Sequence, residues 1–196
     1  MTATRSALEE RVLILAPRGR DAGIATAVLA EAGMISATVA DVPALHAALV
    51  EGAGLVLVTE EAIRTADLRA VAAWVRDQPS WSDLPFVLVT DRGGGLERNP
   101  TAARLSEALG NVTFLERPFH PTTLISVARM GLRGRRRQYQ SRTQLAELLD
   151  GERRLSLALE AGRLGSWELD LATETLIASD ACKAHFGRRP RSEEHT

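Results

Sequence analysis

The sequence predicts an α/β fold: a five-stranded, doubly wound parallel sheet, followed by a long helix and a truncated α+β segment. Between residues 11 and 130, five short apolar runs alternate with stretches in which apolar residues recur at helical spacing. Three of the runs are apolar throughout, which is typical of strands buried on both faces of a parallel sheet. The connections are short, so each strand is expected to reach the next through a right-handed crossover.

The predicted elements follow one another in a regular order. Uninterrupted apolar runs predict strands at residues 12–16, 55–58 and 86–89, and weaker runs predict strands at residues 35–40 and 112–115. Helical spacing fills the stretches between them, at residues 21–32, 41–49, 68–77 and 100–109. Asp41 is suited to cap the second helix, and Pro43 fits its first turn. Gly33 and Gly110 are placed to end the first and the fourth helix.

Composition and charge exclude several classes of protein. Hydrophobic residues make up 45% of the chain, and the formal net charge of −1 argues against a general binder of nucleic acid. No apolar run approaches the roughly 20 residues that cross a bilayer, and the first residues lack the apolar stretch of an export signal. The single cysteine, Cys182, excludes an internal disulfide. We therefore expect a cytoplasmic protein that binds no nucleic acid, membrane, metal or cofactor.

A long helix is predicted after the fifth strand, from about Thr122 to Gly162. Four leucines follow one heptad track on it, with Glu152 as a polar intruder: Leu145, Leu148, Leu155 and Leu159. Because the helix is too long to fold back on the preceding domain, it is expected to act as a connector or to pair with a second copy of itself. We interpret the arginine-rich residues 133–137 as a solvated face of this helix.

The residues after the helix predict a small antiparallel unit. Residues 167–171 and 175–178 alternate around a turn and predict a β-hairpin, and Asp180 can cap a short helix that ends near Gly187. A hairpin and one helix cannot bury a core by themselves, so this domain is expected to be incomplete. Residues 191–196 match the in-frame translation of a common sequencing adapter, and we expect them to be foreign to the natural protein.

The carboxyl ends of the strands are where a doubly wound sheet places its functional loops. The residues at these ends are Pro17 and Arg18, then Thr59, Glu60 and Glu61, then Thr90 and Asp91, and last Arg117, Pro118 and Phe119. Over about residues 11–130 the chain resembles the receiver domains of two-component signalling, which carry Lys-Pro-Phe where this chain has Arg117-Pro118-Phe119. The resemblance implies a flavodoxin-like sheet of strand order 2-1-3-4-5 and a cis peptide bond before Pro118.

The chain departs from the receiver family at the positions that carry its chemistry. Receivers hold Mg²⁺ with an acidic pair after the first strand and accept phosphate on an aspartate that ends the third. Pro17 and Arg18 replace the acidic pair and Thr59 replaces the aspartate, while Arg117 replaces the conserved lysine of the family. Pro17 offers no ligand oxygen and Arg18 repels the ion, whereas the hydroxyl of Thr59 has no base to activate it. We therefore expect this degenerate site to remain unphosphorylated.

Two other features of this domain have alternative interpretations. Glu60 and Glu61 could form a displaced acidic site or mimic a phosphoaspartate, but we favour a solvated pair at a helix start, stabilised by the helix dipole. The glycines at residues 93–95 could cradle phosphate, but no Gly-Lys-Ser/Thr follows them, and we favour a flexible loop. Trp81 is interpreted as a loop anchor that covers the edge of the sheet.

Residues 154–190 resemble the opening of a PAS domain. A helix is followed by a strand that carries Trp167, a turn, a second strand and a short helix that reaches Phe186-Gly187. Cys182 lacks the Asn-Cys-Arg context of flavin-adduct sensors in that family, so it is expected to be a small buried side chain.

The order of a receiver-like domain, a helix and a PAS domain is that of bacterial sensor histidine kinases. We divide the chain into a tail (1–10), a receiver-like domain (11–130), a signalling helix (131–153), the start of a PAS domain (154–190) and the adapter residues (191–196). The resemblance implies the sensory input portion of a kinase, acting by contacts with kinase domains, or with other two-component proteins, and by helix coupling. Two alternatives remain open: an input module of another signalling enzyme, such as a cyclic-dinucleotide synthase, and a stand-alone domain that binds a small anion through Arg18 and Arg117.

Overall fold

The computed structural model describes residues 8–91 and 106–187. These residues fall into two compact units, which divide between Arg142 and Thr143. The strands are β1 (Val12–Leu15), β2 (Ser36–Thr38), β3 (Leu55–Thr59), β4 (Phe86–Thr90), β5 (Val112–Glu116), β6 (Trp167–Asp170) and β7 (Thr175–Ala178). The helices are α1 (Asp21–Glu31), α2 (Val42–Glu51), α3 (Glu60–Ile63), α4 (Arg69–Arg76), α5 (Pro121–Ala161) and α6 (Asp180–His185). The predicted glycine loop at 93–95, most of the predicted helix 100–109 and the adapter residues lie outside the described residues.

A five-stranded parallel sheet forms the centre of the first unit, in the order β2-β1-β3-β4-β5. This order confirms the predicted flavodoxin-like arrangement. The peptide bond between Arg117 and Pro118 is cis, as the resemblance to receivers implied. All residues of β1, β3 and β4 are buried, which agrees with their uninterrupted apolar sequences.

Two apolar layers cover the two faces of the sheet. On one face, side chains of β1, β3 and β4 pack against α2 and α4, through residues such as Leu45, Leu49 and Val71. On the other face they pack against α1 and the first turns of α5, through residues such as Leu29, Leu124 and Ala128. The sheet is thus doubly wound, as predicted.

Several local predictions are confirmed and others are wrong. The carboxylate of Asp41 accepts a hydrogen bond of 2.8 Å from the backbone N–H of Ala44, and this confirms the cap of α2. The second strand is shorter than predicted, at three residues. The cap of α6 is Ser179 and not Asp180, since the Ser179 hydroxyl accepts from the backbone N–H of Cys182.

The second unit is a hairpin with one short helix. Strands β6 and β7 pair in antiparallel register, with Leu169 opposite Leu176, and this confirms the predicted hairpin. Cys182 is buried as expected, and Gly165 lies against its backbone so closely that a Cβ would not fit. Most large apolar side chains of this unit are exposed instead, including Trp167, Leu171, Leu176, Ile177 and Phe186.

Helix α5 confirms the predicted long helix, within a residue at either end. Its buried residues are Leu124, Ala128, Leu132 and Arg135. The heptad leucines farther along are largely exposed: Leu145, Leu148 and Leu155 are 55%, 67% and 61% accessible. Among the described residues, no helix is both long and apolar enough to cross a membrane.

Close packing between α5 and the sheet requires a glycine at residue 131. A Cβ built on Gly131 would collide with the buried side chain of Leu55, whereas a Cβ on Gly134, three residues later, would meet nothing within 4 Å. We expect Gly131→Ala to destabilise the fold by about 1–3 kcal/mol, the usual cost of overpacking a core. Gly134→Ala should be neutral or stabilising by up to about 1 kcal/mol, because alanine favours helix.

The free energy of unfolding in urea measures both changes. Gly134→Ala is the matched control, since it alters the same helix by the same methyl group. Equal stability of the two variants would contradict the close approach of α5 to β3.

Candidate functional site

Two buried threonines end the central strands. Thr59 closes β3 with 3% of its surface accessible, and Thr90 closes β4 with 0%. Neither hydroxyl has a hydrogen-bond partner among the described residues. Thr59 therefore occupies the predicted position, but nothing beside it removes its proton, and an alcohol without a base is a poor nucleophile.

The side chain of Arg117 lies over these strand ends and is surrounded by three carboxylates. One terminal nitrogen of its guanidinium donates to Asp21 Oδ2 at 2.6 Å and to Glu61 Oε1 at 2.8 Å. The other donates to Asp91 Oδ1 at 3.0 Å. The Arg117 side chain is 24% accessible, so these ion pairs are partly shielded from water. The guanidinium thus joins the start of α1, the start of α3 and the end of β4.

The surroundings of Arg117 hold it in its charged form. Burial acts to lower the pKa of its guanidinium, but hydrogen bonds to Glu61 and Asp91 and the negative charges of Glu61 and Asp21 outweigh burial. The pKa is therefore raised above its ordinary value. Arg117 is a permanent cation at the place where the strand ends meet.

The two glutamates after β3 are not the solvated pair that we favoured from the sequence. Glu60 is buried, and its carboxylate lies 3.4 Å from the guanidinium of Arg64. Glu61 is 21% accessible and is bound to Arg117. Each of the two carboxylates is paired with an arginine, and this pairing offsets the cost of burying its charge.

Pro17 and Arg18 follow β1 as predicted, but both are exposed, and Arg18 does not reach Arg117 or its carboxylates in any described ion pair. Asp21 was not expected to belong to the site, and Asp91 was placed at the end of the fourth strand but was given no role. Asp21 is the first residue of α1, and Asp91 directly follows β4. The missed signal was the first turn of the helix after β1, which lies at the same edge of the sheet as the strand ends.

The interactions of Arg117 at the strand ends are electrostatic. The guanidinium occupies the centre of the carboxylates, where it supplies a fixed positive charge. In the described part of the chain, no three Asp, Glu, His or Cys side chains are arranged to hold a metal ion. The ion pairs of Arg117 therefore link the loops at the strand ends to one another.

A second cluster of polar and aromatic side chains joins α5 to the turn before β4. We name it the clasp, and it consists of Trp81, Ser82 and Asp83 from the turn with Arg135, Gln138, Tyr139 and Arg142 from α5. Gln138 accepts from the backbone N–H of Asp83 and donates to its carbonyl, each at 3.0 Å. Arg135 donates to Ser82 Oγ at 2.7 Å and to Gln138 Oε1 at 2.8 Å.

Cation–π contacts complete the clasp. The guanidinium carbon of Arg135 lies 4.7 Å from the ring centre of Tyr139 and 5.6 Å from that of Trp81. Arg142 lies 4.8 Å from the ring centre of Trp81. Trp81 thus anchors its turn, as predicted, but it packs against side chains of α5, whereas from the sequence we expected it to cover the edge of the sheet. Arg135 is only 5% accessible, so the interpretation of residues 133–137 as a solvated face is wrong at this residue.

No protein-family model and no curated protein matches the chain. NtrX from Brucella abortus, solved in complex with ATP, matches with a TM-score of 0.53 and 21% identity, over 68% of this chain but only 29% of its own. The receiver domain of the same protein matches with a TM-score of 0.50 and 23% identity, over 62% of this chain and 98% of its own.

A third solved structure is the chemotaxis response regulator CheY4 of Vibrio cholerae. It matches with a TM-score of 0.50 and 20% identity, over 62% of this chain and 97% of its own. Identities below 25% establish a common fold and leave activity and partners open. The five-stranded sheet and its helices therefore have the flavodoxin-like fold of receiver domains.

Proposed function

We propose that this chain is the regulatory input portion of a two-component histidine kinase, in which the receiver-like domain acts without phosphate. The observation that carries the proposal is the guanidinium of Arg117 bound by Asp21, Glu61 and Asp91 at the strand ends. A receiver needs a metal ion and an acceptor carboxylate there, and this chain has a tethered cation and a buried threonine instead. The proposal includes a cytoplasmic location, which agrees with the single cysteine.

Permanent ion pairs favour one arrangement of the loops at the strand ends. Phosphorylation switches a protein by adding negative charge that reorders nearby groups. Here the charged groups near the strand ends are already paired, because the guanidinium of Arg117 binds carboxylates from α1, from α3 and from the end of β4. We infer that the domain serves as a constitutive scaffold whose partners recognise its folded surface.

Helix α5 offers the route by which this domain would influence its neighbours. Its first turns belong to the core of the sheet domain, and the clasp holds it as far as Arg142. We assign residues 131–153 to a signalling helix, whose rotation or shift would couple the sheet domain to the C-terminal unit. Residues 154–190 would be the start of a PAS domain, and the exposed apolar side chains of the hairpin support this assignment, because a complete domain would cover them.

Incubation with acetyl phosphate and MgCl₂ tests the proposal directly. We expect no gain of a phosphoryl group in the intact mass, because no described side chain activates Thr59 and the carboxylates of Asp21, Glu61 and Asp91 are already paired with Arg117. MgCl₂ should also leave the melting temperature unchanged relative to NaCl of equal ionic strength. A phosphorylatable receiver domain treated in parallel is the positive control.

A phosphoryl group on Thr59, Glu60 or Glu61 would overturn the proposal. The output domain needs a separate test, which is the genomic sequence beyond residue 190. A histidine-containing dimerisation domain followed by an ATP-binding domain would support the assignment to a histidine kinase. A cyclic-dinucleotide synthase domain would instead make this chain the input module of that enzyme. The remaining alternative, an anion site at Arg117, is disfavoured because three carboxylates already neutralise that guanidinium.

A further inference from the structure

A groove of about 500 Å³ lies beside the clasp, on the side of α4. Its walls are mainly apolar, and two of the three tryptophans of the chain, Trp74 and Trp81, line it together with Ala70, Ala73 and Pro79. A volume of this size lies within the usual range of small-molecule sites, about 300–1,000 Å³. Indole rings favour a flat, aromatic occupant, because such a ring can stack or pack edge-to-face against them.

Arg135 contributes the charge of the groove. Its guanidinium is buried, and among the described residues no Asp or Glu forms an ion pair with it. Its hydrogen bonds to Ser82 and Gln138 go to neutral oxygens, and its Nε has no hydrogen-bond partner among the described residues. Burial of an unpaired charge is costly, and the cation–π contacts offset only part of that cost. Arg135 is therefore a buried cation without a carboxylate partner among the described residues.

The other ionisable groups on the groove do not neutralise Arg135. Asp77 lines it, but its carboxylate lies 3.5 Å from the guanidinium of Arg76, outside the clasp. His46 lines it from α2 and carries no negative charge in either protonation state. Among the described residues that line the groove, an anion would thus meet the positive charge of Arg135 and one carboxylate, that of Asp77, which is paired with Arg76.

We propose that this groove binds a small aromatic carboxylate. The ring would pack against Trp74 and Trp81, and the carboxylate would pair with the guanidinium of Arg135. A planar carboxylate suits the planar donor edge of arginine better than a spherical anion does. Because the Nε of Arg135 is shut off from solvent, pairing requires the guanidinium to shift within the clasp. Binding would therefore act on the contact that joins Ser82 to α5.

The site does not rest on the proposed signalling function, since its test measures binding alone. Isothermal titration of the full chain would use three probes: indole-3-acetate, its neutral analogue indole-3-acetamide, and acetate, which has no ring. We expect saturable binding of indole-3-acetate, at least about tenfold tighter than binding of the amide, which is the effect of about one charge-assisted hydrogen bond. Acetate should show no saturation.

Three variants locate the site. Ala73→Leu fills the groove and leaves Arg135 in place, and Arg135→Gln removes the charge, so each should weaken the binding of indole-3-acetate by about tenfold or more. Arg133→Gln is the matched control, because it removes an exposed arginine from the same helix and should change nothing. Circular dichroism of each variant checks that the fold is intact.

Three outcomes would overturn the proposal. Equal affinity for the acid and the amide would exclude a role for Arg135. Unchanged binding in Ala73→Leu would place the ligand outside the groove. No saturation by millimolar indole-3-acetate, benzoate or 1-naphthoate would exclude the ligand class.

Discussion

Replacement of Arg117 by methionine is expected to lower the free energy of unfolding of the sheet domain by about 2–3 kcal/mol. Hydrogen bonds to charged groups contribute about 1.5–3 kcal/mol each, but Asp91 and half of Asp21 face water, so the three bonds together are worth less than their sum. In the unsubstituted protein, Asp21 and Glu61 accept from the same guanidinium nitrogen of Arg117, so they lie close together. The substitution therefore leaves two negative charges near each other without a cation between them. Urea unfolding followed by circular dichroism measures the loss.

Companion variants separate charge from geometry. Arg117→Lys keeps the charge, but a single ammonium cannot reproduce the fork that reaches three carboxylates, so about half of the loss should remain. Adding Glu61→Gln to Arg117→Met should recover part of the stability, because it removes one of the repelling charges. Arg76→Met is the matched control, since Arg76 and Asp77 form an exposed pair at 3.5 Å, which contributes little. If Arg117→Met lowers the free energy of unfolding no more than Arg76→Met does, the ion pairs of Arg117 do not stabilise the loops at the strand ends.

The sheet could be predicted because its signal is local. Strands buried on both faces need consecutive apolar residues, and residues 12–15, 55–59 and 86–90 satisfy that requirement almost without interruption. The cap at Asp41 is equally local, since donor and acceptor lie three residues apart. The edge strand β2 was predicted too long, because only one of its sides pairs with a neighbouring strand and a partly exposed strand carries a weaker apolar pattern.

The contacts of the arginines could not be predicted in the same way. Arg117 meets Asp21 across 96 positions of the sequence, and Arg135 meets Ser82 across 53. Residue 135 continues the helical spacing of the buried Ala128 and Leu132, but an arginine on a helix normally faces water, so exposure was the expectation. Its burial depends on where the turn before β4 meets α5, which only the packed fold determines.

Part of the site could be inferred from the positions at the strand ends. Thr59, Thr90 and Arg117 were placed correctly, because β3, β4 and β5 end where their apolar runs end. The pairing of these positions with Asp21 needed the start of α1, and a search confined to residues next to the strands overlooks helix starts. The expectation that this domain is not phosphorylated rests on residue types alone, and it remains a prediction for the experiment with acetyl phosphate.

The exposed leucines of α5 are expected to hold two copies of the chain together. Leu145, Leu148 and Leu155 lie on the heptad seam with most of their surface accessible, and Leu159 continues it. Burial of a leucine contributes about 1.5–3 kcal/mol, so four per chain can hold a weak dimer. Glu152 lies on the same seam, and in a parallel pair it would face its own copy. We therefore expect Glu152→Leu to tighten association by at least about tenfold, because it removes a buried like-charge contact.

Sedimentation equilibrium of the full chain measures this association. Leu148→Glu and Leu155→Glu should each weaken it by about tenfold or more, since each places a charge in the seam. Leu157→Glu is the matched control, because Leu157 is 58% accessible on the same helix but lies off the heptad track. This control also separates the seam from the exposed apolar hairpin, which remains intact in every variant. If Leu157→Glu weakens association as much as Leu148→Glu does, the dimer does not form through the seam. If all variants leave the mass unchanged, α5 is a spacer.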